Sequence, residues 1–179
     1  MPSLRRLLVL GGTKSGKSTY AERRVEETGL RAVYFATGSA NDGEMAARIA
    51  AHRARRGSDW TTIEEPLELP GRLAAEAGVG RAVLVDCLTL WLANLMAAER
   101  DIAVESGRLV AAIRNADGPV VLVSNEVGGG VVPDNALARR FADAQGVLNQ
   151  QVAAAVEEVV LIAAGLPLVL KSPELEAVR

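Results

Sequence analysis

Gly11, Gly12, Thr13, Lys14, Ser15, Gly16, Lys17 and Ser18 fit the spacing G-x-x-x-x-G-K-[ST]. Glycines at these places let successive backbone N–H groups turn inward around phosphate oxygens, and a helix starting at the lysine adds the positive end of its dipole. On that spacing the Lys17 ammonium reaches the β- and γ-phosphates of a nucleotide, and the Ser18 hydroxyl ligates Mg2+. The flanks are in the order the mechanism requires: the apolar run LLVL precedes the loop, and STYAERRVEE follows with a helical pattern. An ordinary strand-to-helix turn with a solvated lysine is the plain alternative, but it does not account for that order. The motif implies nucleotide binding without naming the acceptor, because motors, switches and small-molecule kinases share it.

Further candidates lie along the chain. Ala82-Val83-Leu84-Val85-Asp86 reads as a buried strand ending in a carboxylate. An acid there often caps a helix; beside a phosphate loop it reads instead as the Walker B aspartate that reaches Mg2+ directly or through water. His52 falls four residues after Arg48 and four before Arg56, so on a helix all three share one side, next to a stripe marked by Met45 and Ile49. Neighbouring guanidinium groups keep an imidazole neutral and leave a lone pair for attack on phosphorus. A solvated helix face with an incidental histidine fits the same spacing, and spacing does not decide between the two. Ser124-Asn125-Glu126-Val127-Gly128 follows another apolar run and opens a glycine-rich loop. Asn125 and Glu126 are candidates for positioning substrate or metal, with hydrogen bonding inside the loop as the alternative.

The elements that must hold these residues alternate between strand and helix. Short apolar runs at Leu7–Leu10, Ala32–Ala36, Ala82–Val85, Val120–Val123 and Val159–Ala163 lack polar alternation, which suits strands covered on both faces of a mainly parallel sheet. A last run, Leu168–Leu170, follows Gly165 and Pro167 and is expected to pair as an edge hairpin. Helices are expected over Lys17–Glu27, Glu44–Arg56, Pro66–Glu76, Leu88–Arg100, Ser106–Arg114 and Asn135–Glu157. Asp42 is a plausible cap for the second, and Pro66 suits the first turn of the third. The polar tail after Lys171 reads as frayed.

With 179 residues, 49% of them hydrophobic, the chain is long enough for one sizeable core, and a single domain over 1–179 is expected. A formal net charge of -2 gives no global reason to bind nucleic acid or an anionic membrane, so phosphate chemistry has to be local. Cys87 is the single cysteine, which excludes an internal disulfide and a zinc site made of several cysteines and fits a reducing compartment. The opening MPSLRRLLVL reads as a strand, not a leader, because the apolar run stops at Gly11 without a cleavage pattern. No stretch is apolar for the roughly 18 residues of a membrane span. A soluble, cytoplasmic protein is expected.

Together the residues resemble the bifunctional adenosylcobinamide kinase and adenosylcobinamide-phosphate guanylyltransferase family of cobalamin biosynthesis. The resemblance rests on GGTKSGKS at 11–18, YFAT at 34–37, EMAARIAAHRARR at 44–56, WTTIEEP at 60–66, VLVDCLTLWLANL, VSNEVGGGVVP and RRFADAQGVLNQQVA, which span most of the chain. It implies a P-loop NTPase fold of RecA-like type and two reactions. ATP or GTP phosphorylates the hydroxyl of the aminopropanol arm of adenosylcobinamide. GTP then donates GMP to that phosphate, releasing pyrophosphate and leaving adenosylcobinamide-GDP, by way of a guanylylated histidine that the motif places at His52.

The resemblance also implies GTP contacts from Gly11 through Ser18, from Ala36 and Thr37, from Arg53, Ala54, Arg55 and Arg56, and from Glu64 and Asp86. Each has an ordinary reading: a strand end, a surface acid, a solvated cationic face. Lys14 stands where many relatives carry arginine, keeping the charge but losing a planar two-pronged donor. A homo-oligomer is implied as well. The competing functions are a small-molecule kinase without nucleotidyl transfer, a recombinase-like nucleic-acid-dependent ATPase, and a regulatory switch. The charge balance and the lack of a long basic tract argue against the second.

Overall fold

A computed structural model describes residues 4–38 and 59–176. The expected helix Glu44–Arg56 and its cap at Asp42 lie outside them. In chain order the elements are β1 (Arg6–Gly11), α1 (Lys17–Glu26), β2 (Arg31–Ala36), β3 (Trp60–Glu64), α2 (Leu69–Glu76), β4 (Arg81–Asp86) and α3 (Leu88–Ala97). They continue with α4 (Ile102–Arg114), β5 (Val120–Asn125), α5 (Ala136–Ala155), β6 (Glu158–Ala163), β7 (Leu166–Lys171) and α6 (Pro173–Glu176).

The strands form one seven-stranded sheet in the order β3-β2-β4-β5-β1-β6-β7. Every neighbouring pair is parallel except β6 and β7, which form the expected edge hairpin. The alternation of side chains along each strand divides the core between two faces. Leu8, Leu10, Val83, Val85 and Leu122 pack with Trp91, Leu92 and Leu109 under α2 to α5. Leu7, Val9, Leu84, Val121 and Val123 pack with Ala21 and Val25 of α1. Burial on both faces explains why the central strands read as continuous apolar runs.

The departures from expectation have local causes. β3 is an edge strand whose Thr61 and Glu64 face solvent, so it carries no apolar run. The helix expected from Pro66 starts at Leu69, and it is Pro70 that occupies its first turn. Pro66 instead belongs to the connection, where its carbonyl accepts from Asn94 Nδ2 at 3.2 Å. α4 begins four residues ahead of the expected Ser106, because Asp101 caps it by accepting from the N–H groups of Ala103 and Val104. α3 ends at Ala97, short of Arg100. Arg100 pairs with Glu68 at 2.8 Å and Glu105 at 2.6 Å, tying the start of α2 to α4. Part of the tail read as frayed is the short helix α6, whose Leu175 N–H donates to Ser172 Oγ at 3.2 Å.

Candidate functional site

The phosphate loop leaves β1 at the carboxyl ends of the parallel strands, where open α/β sheets bind ligands. Gly11 closes β1 in a place with no room for a side chain: a Cβ there would collide with Ser15 Oγ and lie 2.8 Å from the Ile162 carbonyl oxygen. Gly16 caps α1 in the left-handed region at φ 98°, which glycine adopts without the usual penalty. Lys17 and Ser18 are the first two residues of α1, so the loop wraps the helix end whose N–H groups have no partner within the helix. Lys14 is exposed at φ 54°, on the outer turn of the loop. Among the described residues, the buried Ser15 Oγ makes no hydrogen bond, as expected of a hydroxyl in a cradle shaped for something else.

Lys17 is half-buried and its Nζ donates to the Gly12 carbonyl at 2.9 Å, folding the ammonium back over the loop. Burial lowers its pKa below that of an ordinary lysine, while the nearby Cys87 and Asp86 push the other way. Asp86 therefore lies within electrostatic reach of Lys17, although β5 separates β4 from β1 in the sheet. A triphosphate arriving over the loop would supply the negative charge that a half-desolvated ammonium lacks.

The carboxyl ends of the strands are tied down by polar side chains. Thr37, fully buried, donates through Oγ1 to the Cys87 carbonyl at 2.7 Å and accepts from the Cys87 N–H at 2.8 Å. The Thr37 hydroxyl is thus engaged in locking β2 to the turn after Asp86. Asn94 Nδ2 donates to the Thr37 carbonyl at 2.7 Å, which fixes α3 across the same rim. Cys87 is buried, and desolvation followed by the neighbouring Asp86 charge pushes its thiol up to about 11, so it is not a nucleophile at neutral pH.

Asn125 ends β5 beside Gly11 of β1. Its N–H donates to Thr89 Oγ1 at 2.9 Å and its carbonyl accepts from Asn149 Nδ2 at 3.1 Å. Among the described residues its side-chain amide makes no hydrogen bond, which leaves it available to a ligand at the rim. Glu126 donates its N–H to the Gly11 carbonyl at 3.1 Å and accepts the Gly128 N–H on Oε1 at 2.8 Å, so its carboxylate serves its own loop. Behind them Ser124, Gln145 and Asn149 form a buried network, with Ser124 Oγ donating to Asn149 Oδ1 at 2.7 Å and Gln145 Nε2 to Ser124 Oγ at 2.9 Å.

The register places Ala36, Asp86 and Glu64 in one row across β2, β4 and β3. Glu64 is exposed on the outer strand, four strand spacings from β1, or about 19 Å. One nucleotide reaches both places only if its phosphates sit at the loop and its base extends over β2 and β3. His52, Arg53, Ala54, Arg55 and Arg56 lie outside the described residues.

Two supports gave little signal in sequence. The Gly165 N–H donates to the Ser15 carbonyl at 2.9 Å, so the β6–β7 turn clasps the phosphate loop. That turn has Ala164 at φ 51° and Gly165 at φ 79°, the two positive values of a tight hairpin turn. The buried network was detectable only as polar Gln145 and Asn149 at i, i+4 on one face of α5.

Comparison with known proteins extends this geometry. Solved structures of similar fold include the flagellar accessory protein FlaH from Methanocaldococcus jannaschii, at TM-score 0.56 and 10% identity over 94% of this chain and 78% of that one. The RadB recombinase matches at TM-score 0.53 and 18% identity over 88% and 73%. At those identities the likeness concerns fold alone, a RecA-like P-loop NTPase. Sequence relatives are much nearer. The bifunctional adenosylcobalamin biosynthesis protein CobP of Pseudomonas aeruginosa is 49% identical over 170 residues, covering 94% of this chain and 98% of its own. The corresponding CobU of Escherichia coli is 38% identical over 180 residues, covering 92% and 99%. The family described as cobinamide kinase / cobinamide phosphate guanyltransferase matches residues 7–170. A phosphate loop clasped at the rim of a RecA-like sheet thus lies inside a match over nearly the whole chain, and the chain belongs to the cobinamide kinase / cobinamide phosphate guanyltransferase family.

Proposed function

We propose that this protein phosphorylates the hydroxyl of the aminopropanol arm of adenosylcobinamide with ATP or GTP. It then transfers GMP from GTP to the new phosphate, giving adenosylcobinamide-GDP and pyrophosphate. The observation that carries this reading is the half-buried Lys17 over the phosphate loop, within electrostatic reach of Asp86, in a chain matched to the family over 7–170.

In the kinase step the loop N–H groups and Lys17 hold the β- and γ-phosphates, so charge moving onto the bridging oxygen meets donors already in place. The acceptor hydroxyl oxygen bonds to the γ-phosphorus as the bond to the β-phosphate oxygen breaks, and the hydroxyl proton leaves to solvent. In the transfer step a neutral His52 nitrogen bonds to the α-phosphorus of GTP and pyrophosphate departs. An oxygen of the corrinoid-borne phosphate then attacks the same phosphorus and the N–P bond breaks, returning the imidazole. Asn125, at the rim beside Gly11, is suited to orient the acceptor phosphate.

Mg2+ fits the donor set. The Ser18 hydroxyl and the Asp86 carboxylate are hard oxygen donors, and among the described residues no three His, Cys, Asp or Glu side chains gather into a cage. That suits an ion which takes most of its ligands from phosphate and water. When bound, it would neutralise phosphate charge. Ser18→Ala and Asp86→Asn are each expected to raise the Mg2+ concentration for half-maximal activity by roughly tenfold, a loss of about 1.4 kcal/mol in metal binding. Metal titrations of both variants that overlay the parent would remove these two residues from the ion's shell.

The functional reading is tested by incubating the protein with adenosylcobinamide, Mg2+ and either nucleotide, then identifying products by mass. ATP should give adenosylcobinamide phosphate alone, and GTP should carry it on to adenosylcobinamide-GDP. A reaction that stops at the phosphate with GTP would reduce the protein to a kinase.

A further inference from the structure

The site described so far accommodates phosphates and leaves open where the bulk of the acceptor rests. A cavity of about 570 Å³ opens between α3, α5 and the loop that joins β5 to α5. Its walls include Ala93 and Met96 of α3, Val127 and Pro133 of the loop, and Ala138 and Phe141 of α5. Among the described residues no charged side chain lines it. Among the described lining residues Asn135 is the polar one, and its Oδ1 caps α5 by accepting from the Ala138 N–H at 2.7 Å.

Its position in the fold follows from hydrogen bonds. α3 is held across the strand ends by Asn94, bonded to the carbonyls of Thr37 and Pro66. α5 is pinned to the end of β5 through Gln145 and Asn149, so the residues from Ala136 to Ala144, about 14 Å of helix, precede that anchor. Val127 stands one residue after Glu126, whose N–H is bonded to the Gly11 carbonyl of the phosphate loop. Arg139 braces the intervening loop by donating to the carbonyls of Pro133 and Asp134, each at 2.8 Å. The cavity therefore lies toward the carboxyl ends of the strands, with its wall residue Val127 next in sequence to the residue bonded to Gly11. Alanines at 93 and 97 on one helix and at 138 and 142 on the other keep its two helical walls low.

We propose that this cavity is the acceptor subsite, taking the methyl-bearing edge of the corrinoid macrocycle so that its hydroxyl-bearing arm extends to the phosphates over Gly11–Ser18. The proposal rests on cobinamide being the acceptor. A corrin ring is rimmed by methyl groups and carboxamides, and a macrocycle of that size cannot be enclosed in such a volume. An open, apolar, rim-level cavity grips one edge by area burial and leaves the amides in water. Because it touches the acceptor and not the nucleotide, the cavity sets the affinity for corrinoid without entering the GTP half-reaction.

Filling the cavity tests this. Ala138→Trp in the full-length protein is expected to raise the Kd for adenosylcobinamide, read from its visible absorbance in equilibrium dialysis, and its KM by at least about tenfold. The KM for GTP and the yield of protein-bound GMP should stay within about twofold of the parent. Ala142→Leu, a milder filling, should act in the same direction and supplies the test if the tryptophan variant does not fold. Phe141→Ala, which removes a wall, should also weaken corrinoid binding. A folded filled variant with the parent's corrinoid Kd overturns the proposal. So does a change in oligomeric state with normal corrinoid binding, which would assign the cavity to a second copy of the chain. Parent protein that forms the GMP adduct yet neither binds nor phosphorylates adenosylcobinamide would instead overturn the acceptor assignment itself.

Discussion

Replacing Lys17 by alanine is expected to lower kcat/KM roughly 10²–10³-fold in both the kinase and the guanylyl-transfer reactions, about 3–4 kcal/mol of transition-state stabilisation. The ammonium sits half-buried with its Nζ folded onto the Gly12 carbonyl, so its charge acts in a partly desolvated place where it is worth more than in water. Little else should change. The loop is shaped by Gly11, by Gly16 at φ 98° and by the Gly165 clasp on the Ser15 carbonyl, none of which needs the lysine side chain. The variant should keep the parent's melting behaviour while losing turnover. Steady-state kinetics of both reactions on one preparation checks this, and near-parent kcat at saturating nucleotide would contradict the role given to Lys17.

The second large effect separates the two reactions. His52→Ala should reduce guanylyl transfer by at least about 10³-fold, because the covalent route has no nitrogen left to bond to the α-phosphorus. The kinase step requires positioning, Lys17 and metal but no bond to the protein, so its rate should fall by less than about tenfold. Adenosylcobinamide serves as substrate for one assay and its phosphate for the other. Equal losses in both would mean that His52 acts on nucleotide binding in general and not as the nucleophile of one step.

The phosphate loop was legible in sequence because its chemistry is local: glycines, lysine and hydroxyl fall within eight consecutive residues between a strand and a helix. The central strands were legible for a similar reason, since burial on both faces leaves runs such as LLVL and AVLV. β3 was not, because an edge strand needs only one good neighbour, and Thr61 and Glu64 are free to be polar. The early start of α4 depended on the weight given to a single capping aspartate, Asp101. The supports of the site were hidden for a different reason. Thr37 and Cys87 meet across 50 residues, Ser124 and Asn149 across 25, and Gly165 reaches the phosphate loop from the far end of the chain. Contacts of that kind are created by strand order, and no local pattern announces them. The histidine stands apart: helix spacing beside Arg48 and Arg56 fits an incidental side chain better than a nucleophile, and the role proposed for it rests on the resemblance of its motif to the family's.

The most direct measurement is a peptide map of the protein after incubation with Mg2+ and GTP labelled at the α-phosphate, without corrinoid and kept at neutral to alkaline pH. The account predicts about one GMP per chain, released by acid as a phosphoramidate is, and confined to the peptide containing His52. Addition of adenosylcobinamide phosphate should then move the label from protein to corrinoid. Label found on another residue, or efficient production of adenosylcobinamide-GDP with no labelled protein at any time, would contradict it.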